Sequence, residues 1–278
     1  MSGKTLPVQL DDILAAAVRI DGRVCRTPMV ASVVLSERMG VPVHLKLEHH
    51  QATGSFKLRG ATNAILSLTR EERARGVVAA STGNHGRALA FAASAEGAVA
   101  TICMSSLVPE NKVAEIRRLG ARVRIIGRSQ DEAQEEVDRL VAEEGLAMVP
   151  PFDHPAVVAG QGTLGLEIVE QVPEIGTVLV PLSGGIGLDN RVTFAMCRDL
   201  LDDVVLLSEA EIAAGIAHAY SLEREVVEGA AAVGIGALLT GKVKSLGAIV
   251  ALLSGRNIDM EQHRRVINGD AIHGKDAA

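Results

Sequence analysis

Ser55-Phe56-Lys57-Leu58-Arg59-Gly60-Ala61 sets one lysine at the start of a helical pattern, directly after the hydrophilic turn Gln51-Ala52-Thr53-Gly54. Ser55 reads as the N-cap and Lys57 as a first-turn residue. A lysine in a first turn opposes the helix dipole, which is mildly unfavourable. Held at a partly buried position, a lysine loses its proton more readily and becomes a nucleophilic amine that can condense with an aldehyde. The plain alternative is an ordinary solvated helix start. The seven residues alone do not separate the two, and the flanking sequence has to decide.

Outward from this stretch, short β-branched runs alternate with helical patterns. Val41–Glu48, Gly76–Ser81, Ala98–Met104, Arg122–Gly127, Thr177–Leu182, Val204–Ser208 and Ala248–Ser254 read as strands. Many are apolar throughout, which suits strands covered on both faces. Gln9–Ile20, Phe56–Leu68, His85–Glu96, Asn111–Leu119, Asp131–Glu144, Ala156–Gln171, Glu209–Arg224 and Ala230–Gly241 read as helices. The alternation implies an α/β fold with mostly parallel sheets covered by helices. Only the tail after Gly269 reads as frayed.

Composition bounds the function. The chain has 278 residues, 47% hydrophobic and 22% charged, as in soluble globular proteins. With 2% aromatics and no Trp, the core must be aliphatic. A net charge of −6 argues against nucleic-acid binding. No apolar run reaches membrane-spanning length, and the N-terminus lacks signal-peptide regions, so a cytoplasmic protein without a membrane partner is expected. Cys25, Cys103 and Cys197 suggest neither a disulfide framework nor a zinc site. His49-His50 and His154 lack metal-like spacing to other ligands, so packing or surface roles are expected and no metal is assigned. The Glu-rich Gln130–Glu144 reads as a solvated helix face.

Two Gly-rich loops follow strands. Ser81-Thr82-Gly83-Asn84-His85-Gly86 opens an Ala-rich helix, and Ser183-Gly184-Gly185-Ile186-Gly187 follows Val178–Leu182. Ligands of open α/β sheets bind beyond the carboxyl ends of strands, and backbone N–H groups at such loops favour anions. Tight-turn geometry is the alternative for either loop alone. Val158-Ala159-Gly160-Gln161-Gly162-Thr163 reads as small residues for close helix packing or a further loop. In Leu253-Ser254-Gly255-Arg256-Asn257, Ser254 either starts a turn or offers a hydroxyl to a ligand lying across the strand ends.

Taken in order, these motifs resemble the fold-type II pyridoxal-phosphate enzymes, specifically the threonine/serine dehydratase and serine racemase family. Pro150-Pro151-Phe152-Asp153-His154-Pro155, Val180-Pro181-Leu182-Ser183-Gly184-Gly185 and Leu253-Ser254-Gly255-Arg256-Asn257-Ile258-Asp259 extend the resemblance along the chain. Gly187-Leu188-Asp189-Asn190-Arg191 and Val227-Glu228-Gly229-Ala230 look most like the hydroxyectoine-utilisation dehydratases. The resemblance implies a two-domain, tryptophan-synthase-β-like fold. The expected large cofactor domain is 1–68 with 146–278, and the expected small substrate domain is 69–145.

The resemblance also implies roles. Lys57 would hold pyridoxal 5'-phosphate through its amine and shuttle the α-proton. Ser183, Gly184, Gly185 and Gly187 would cradle the phosphate. Asn84 would bond the ring hydroxyl, Phe56 would pack beside the ring, and Ser254 would face the pyridine nitrogen, tempering its electron-sink character. Ser81, Thr82, Gly83, Asn84 and His85 would grip the carboxylate of an amino-acid substrate. Thr82 stands where racemising relatives carry a second serine, which favours elimination over racemisation. A homodimer is expected. The alternatives are a racemase or β-replacement enzyme on the same fold, or a catalytically impaired homologue.

One departure bears on that last alternative. After Ser183-Gly184-Gly185 the family continues with more glycines and at least one βα unit, about thirty residues or more. Here Gly185 runs straight into Ile186-Gly187-Leu188-Asp189-Asn190. The expectation is an internal deletion that weakens cofactor binding and exposes apolar surface.

Overall fold

The computed structural model describes residues 6–182, 190–244 and 247–270. In chain order the elements begin with α1 (Leu10–Ile20), β1 (Met29–Ala31), α2 (Val33–Met39), β2 (Val43–Lys46), α3 (Lys57–Ser67), α4 (Arg70–Arg75), β3 (Val77–Ala80) and α5 (Asn84–Ala95). They continue with β4 (Ala100–Met104), α6 (Glu110–Arg118), β5 (Arg122–Ile125), α7 (Gln130–Glu144), β6 (Ala147–Met148), α8 (Pro155–Gln171) and β7 (Ile175–Leu179). The last are α9 (Arg191–Leu200), α10 (Glu209–His218), α11 (Gly229–Leu239), β8 (Ala248–Leu252) and α12 (Met260–Ile267). Capping boxes start α4, α7 and α10. The side chains of Thr69, Ser129 and Ser208 accept the N–H of Glu72, Glu132 and Glu211, whose carboxylates bond back.

By packing, the chain divides into Met1–Cys25, Phe56–Gly165 and Gly185–Leu200 as one unit, and Arg26–Ser55, Leu166–Gly184 and Leu201–Ala278 as the other. The expected small domain, 69–145, lies wholly within the first unit. That unit also takes in α3, because Leu58, Ala61 and Ile65 share a core with Leu89 and Ala92 of α5.

In the first unit the described sheet runs β5-β4-β3-β6, parallel throughout. Side-chain alternation explains why its central strand β3 carries no polar face. Val77 and Ala79 enter the core beneath α3 and α5, while Val78 and Ala80 enter a second core with Ala133, Val137 and Leu140 of α7. Both faces of β3 are therefore dry. In the second unit the described sheet runs β1-β2-β8-β7, parallel except for the antiparallel β1–β2 pair. Val43 and Leu45 pack with Ile216 of α10 and Ile235 of α11.

On the other face of β2, Lys46 is fully buried, and its Nζ donates to Thr27 O at 2.8 Å, Glu167 Oε2 at 2.6 Å and Gln171 Oε1 at 2.8 Å. Among the described residues β7 pairs with β8 alone and stands at the edge of the sheet, with Val178 42% exposed.

The expected parallel α/β architecture is present. One strand assignment needs correction: Val204–Ser208 forms no strand, since Val204 and Leu206 are 54% and 82% exposed and no neighbouring strand pairs with them. β propensity without a ladder partner does not make a strand. The short β1 and β6, and α2, α4, α9 and α12, were not legible as elements. The junction at Gly185-Ile186 and the loop Ser183, Gly184, Gly185 and Gly187 lie outside the described residues. No helix among the described residues is long and apolar enough to cross a membrane.

Candidate active site

Lys57 is the first residue of α3. The N-cap is Phe56, without a side-chain cap bond, rather than the expected Ser55. The Ser55 hydroxyl is buried and has no hydrogen-bond partner. Leu58 through Ile65 are buried, so α3 is anchored over two turns immediately beyond the lysine. Its Arg59 is 1% exposed and donates to Thr163 Oγ1 and to Cys25 O, each at 3.3 Å. α3 also meets α8 without side chains between the backbones. A Cβ on Gly160 would lie 2.7 Å from Gly60 Cα and 2.8 Å from Arg59 O. Gly160 thus serves close packing inside α8.

The amine of Lys57 donates to Pro151 O at 2.8 Å. Its Nζ lies 5.1 Å from the centre of the Phe56 ring and 5.6 Å from that of Phe152. Burial lowers its pKa from 10.5 to about 8. Desolvation disfavours the charged amine, so about a tenth is free base at pH 7, far more than for an ordinary lysine. Lys46 contrasts with it, since its Nζ lies 2.6 Å from a carboxylate oxygen of Glu167.

The loop expected to hold a carboxylate joins β3 to α5. Ser81 Oγ accepts from Gly86 N at 3.0 Å and from Gly83 N at 3.5 Å, tying the loop across the helix start. Gly83 is the N-cap of α5, and Thr82, Gly83 and Asn84 are partly exposed. His85 is 3% exposed, and its Nε2 lies 2.8 Å from Val149 O. Burial, opposed by that bond and reinforced by the charge on Lys57, lowers its pKa to about 4. The ring is neutral, with its proton on Nε2 for Val149 O, and the buried Nδ1 has no partner.

In the second unit Ser254 follows β8 and is 4% exposed. Its segment is stitched to the turn that precedes α3. Ser55 bridges Gly255, Arg256 N donates to Gly54 O at 2.9 Å, and Asn257 Nδ2 donates to Thr53 O at 3.0 Å.

The structure adds residues that sequence reasoning left without a role. Pro151 and Phe152 flank the lysine through a separation of more than ninety positions, which no local pattern reveals. Asp153 caps α9 from a distance, accepting from the N–H of Arg191 at 3.0 Å, Val192 at 2.9 Å and Thr193 at 3.0 Å. Gln161 Oε1 accepts from Gly60 N at 3.3 Å, while its buried Nε2 has no partner.

Residues 20–189 match the model of the family described as pyridoxal-phosphate dependent enzyme. The chain belongs to that family. A Sinorhizobium fredii protein, provisionally named threonine dehydratase, is 54% identical over 94% of this chain and 96% of its own length. An L-threonine ammonia-lyase of Thermotoga maritima is 37% identical over 94% of this chain and 78% of its own. The maize serine racemase structure superposes with a TM-score of 0.86 at 28% identity, covering 94% of this chain and 97% of that one. The alignment with the Sinorhizobium protein spans 318 positions against the 278 residues here, so at least 40 positions of that relative have no counterpart in this chain.

The described residues fit the cofactor of the pyridoxal-phosphate enzymes. Such a cofactor needs an unprotonated amine beside apolar ring surface. Lys57 is a desolvated amine between two aromatic rings, held by a neutral carbonyl.

Proposed function

We propose that the chain is an ammonia-lyase acting on a β-hydroxy amino acid: threonine, serine or an intermediate of hydroxyectoine use. The observation that carries this reading is Lys57, a buried amine with a pKa lowered to about 8, in a chain of the pyridoxal-phosphate family. The relatives named for threonine dehydration or ammonia loss support the same reaction class.

Pyridoxal phosphate, when bound, supplies an aldehyde for amines and an electron sink for the substrate α-carbon. Lys57 Nζ would hold that aldehyde and would then move the α-proton. Loss of that proton and of the β-hydroxyl as water leaves an enamine, whose hydrolysis yields a keto acid and ammonia. Ser81, Thr82, Gly83 and Asn84 bind the substrate carboxylate through the start of α5, where N–H groups favour an anion. His85 joins them as a support, since its one proton is committed to Val149 O. Asn84 would orient the ring hydroxyl, Phe56 would lie beside the ring, and Ser254 would offer its hydroxyl to the ring nitrogen. Ser183, Gly184, Gly185 and Gly187 would hold the phosphate. Threonine at 82 disfavours the racemase alternative. Two domains bounded at 68/69 and 145/146, a homodimer and a cytoplasmic location complete the proposal.

A second reading, an impaired homologue, is favoured by the unmatched positions of the Sinorhizobium relative and by β7 standing at the described sheet edge. Keto-acid release from threonine, serine and hydroxyectoine, with and without added pyridoxal phosphate, tests both. The lyase reading expects cofactor-dependent keto acid from one of them. Cofactor bound to Lys57 with no keto acid from any substrate favours impairment, and D-amino acid as the product overturns elimination.

A further inference from the structure

We propose that His49, His50 and Glu225 form a binding site for a divalent transition-metal ion of the zinc class. The proposal is independent of the lyase reading and concerns the second packing unit alone.

The three side chains come from segments about 175 positions apart, which is why their sequence spacing carries no metal signature. Their donor atoms lie within 4.8 Å of one another. Glu225 Oε2 is 2.7 Å from His49 Nε2 and 3.0 Å from His50 Nε2. A tetrahedral ion with ligands at about 2.0–2.2 Å sets its donors about 3.4 Å apart, so the carboxylate oxygen would back away by roughly half an ångström. The Glu225 side chain is 19% exposed and that of His50 38%, which leaves a solvent side for a fourth ligand. The His49 side chain is 1% exposed, and its backbone N–H is tied to Leu253 O at 2.9 Å. Two imidazoles and one carboxylate suit zinc, cobalt or nickel, whereas magnesium and calcium take oxygen ligands.

The backbone that delivers Glu225 is irregular. Ala219–Glu223 is a single π-helical turn, and Arg224 then takes φ 63° and ψ 29°, the left-handed region, without being glycine. The Glu225 N–H closes on Ala219 O at 2.9 Å. π-turns and left-handed non-glycine residues concentrate where a side chain must be aimed. Here the carboxylate is aimed at two imidazoles. A metal held there would clip the turn before Lys57 to the segment after α10.

The test uses the full, tag-free chain treated with chelator, freed of unbound cofactor and titrated with zinc by calorimetry. One equivalent is expected, together with a raised thermal midpoint, because an ion that binds only the folded chain stabilises it by mass action. His50→Ala and Glu225→Gln should each abolish both effects, and His154→Ala should keep them. Cobalt(II) added to the parent chain gives a second reading that needs no variant. A strong visible band of four- or five-coordinate cobalt is expected, with large contact-shifted imidazole N–H resonances from two histidines. Failure of the parent chain to take up zinc, uptake unchanged in both variants, or contact-shifted N–H resonances that survive in His50→Ala unchanged would each overturn the site. In those cases the cluster is a carboxylate accepting from two imidazole N–H groups.

Discussion

Gly60 and Gly160 touch backbone to backbone where α3 crosses α8, and the contact holds the helix that begins with Lys57. A methyl group on Gly160 would overlap Gly60 Cα and Arg59 O, neither of which can move without displacing α3. Gly160→Ala is expected to cost about 1–3 kcal/mol. Gly165 is also inside α8 but has nothing within 4 Å of an added Cβ. There the helix-propensity gain of roughly 0.8–1 kcal/mol stands unopposed, so Gly165→Ala should stabilise. Urea midpoints of the two variants should move in opposite directions.

The depressed pKa of Lys57 has a pH signature. In the cofactor-free chain its reaction with pyridoxal phosphate should rise with pH around a midpoint near 8, far below the ordinary lysine value of 10.5. Borohydride trapping with peptide mapping at several pH values measures this. A label on Lys46, Lys112 or Lys242 instead would refute the assignment. The sign for stability follows from the same shift. The unfolded chain binds the proton more tightly, so the penalty is complete below about pH 8 and fades as pH climbs toward 10.5. Lys57→Met should therefore raise the thermal midpoint at pH 7 and change it little above pH 10.5.

Lys46 and Glu167 form a buried pair, with the lysine side chain wholly covered and the glutamate 13% exposed. Removing one partner strands the other. Lys46→Met is expected to cost about 3–5 kcal/mol, and Lys46→Met with Glu167→Leu distinctly less. Denaturant unfolding of both single variants and the double variant forms the cycle. Additive losses would show that the pair is not coupled.

Asp153 accepts three N–H groups in the first turn of α9. Asp153→Ala should cost about 1–2 kcal/mol and selectively speed amide exchange at Arg191, Val192 and Thr193. Unchanged protection at those three amides would refute the capping role.

Placing a family-type segment of about thirty residues between Gly185 and Ile186 should tighten pyridoxal phosphate binding and raise keto-acid release. The reason is that among the described residues β7 stands at the edge of its sheet with Val178 exposed, an edge that a further strand would cover. Cofactor titration and lyase assay of both chains decide. Equal affinity and turnover would show that the shorter chain needs no restoration.

Much of this protein was legible without coordinates. The lysine at position 57, the loop Ser81–Gly86 and the parallel α/β alternation are local patterns, because a helix start, a turn or a doubly covered strand writes its requirement into a few adjacent residues. Val204–Ser208 shows the limit: its β-branched run satisfied propensity, yet a strand exists only when a neighbour supplies the ladder. The same limit applies to chemistry. A lysine at a helix start is visible in sequence, but its lowered pKa comes from burial beside Pro151 and Phe152, which lie more than ninety positions away. His49 and His50 read as packing residues until the turn at Arg224 brought Glu225 to them. Sequence by itself determined which groups are available and the elements that carry them. Desolvation, ion pairing and ligand geometry are properties of distances between remote segments, and only the tertiary structure decided those.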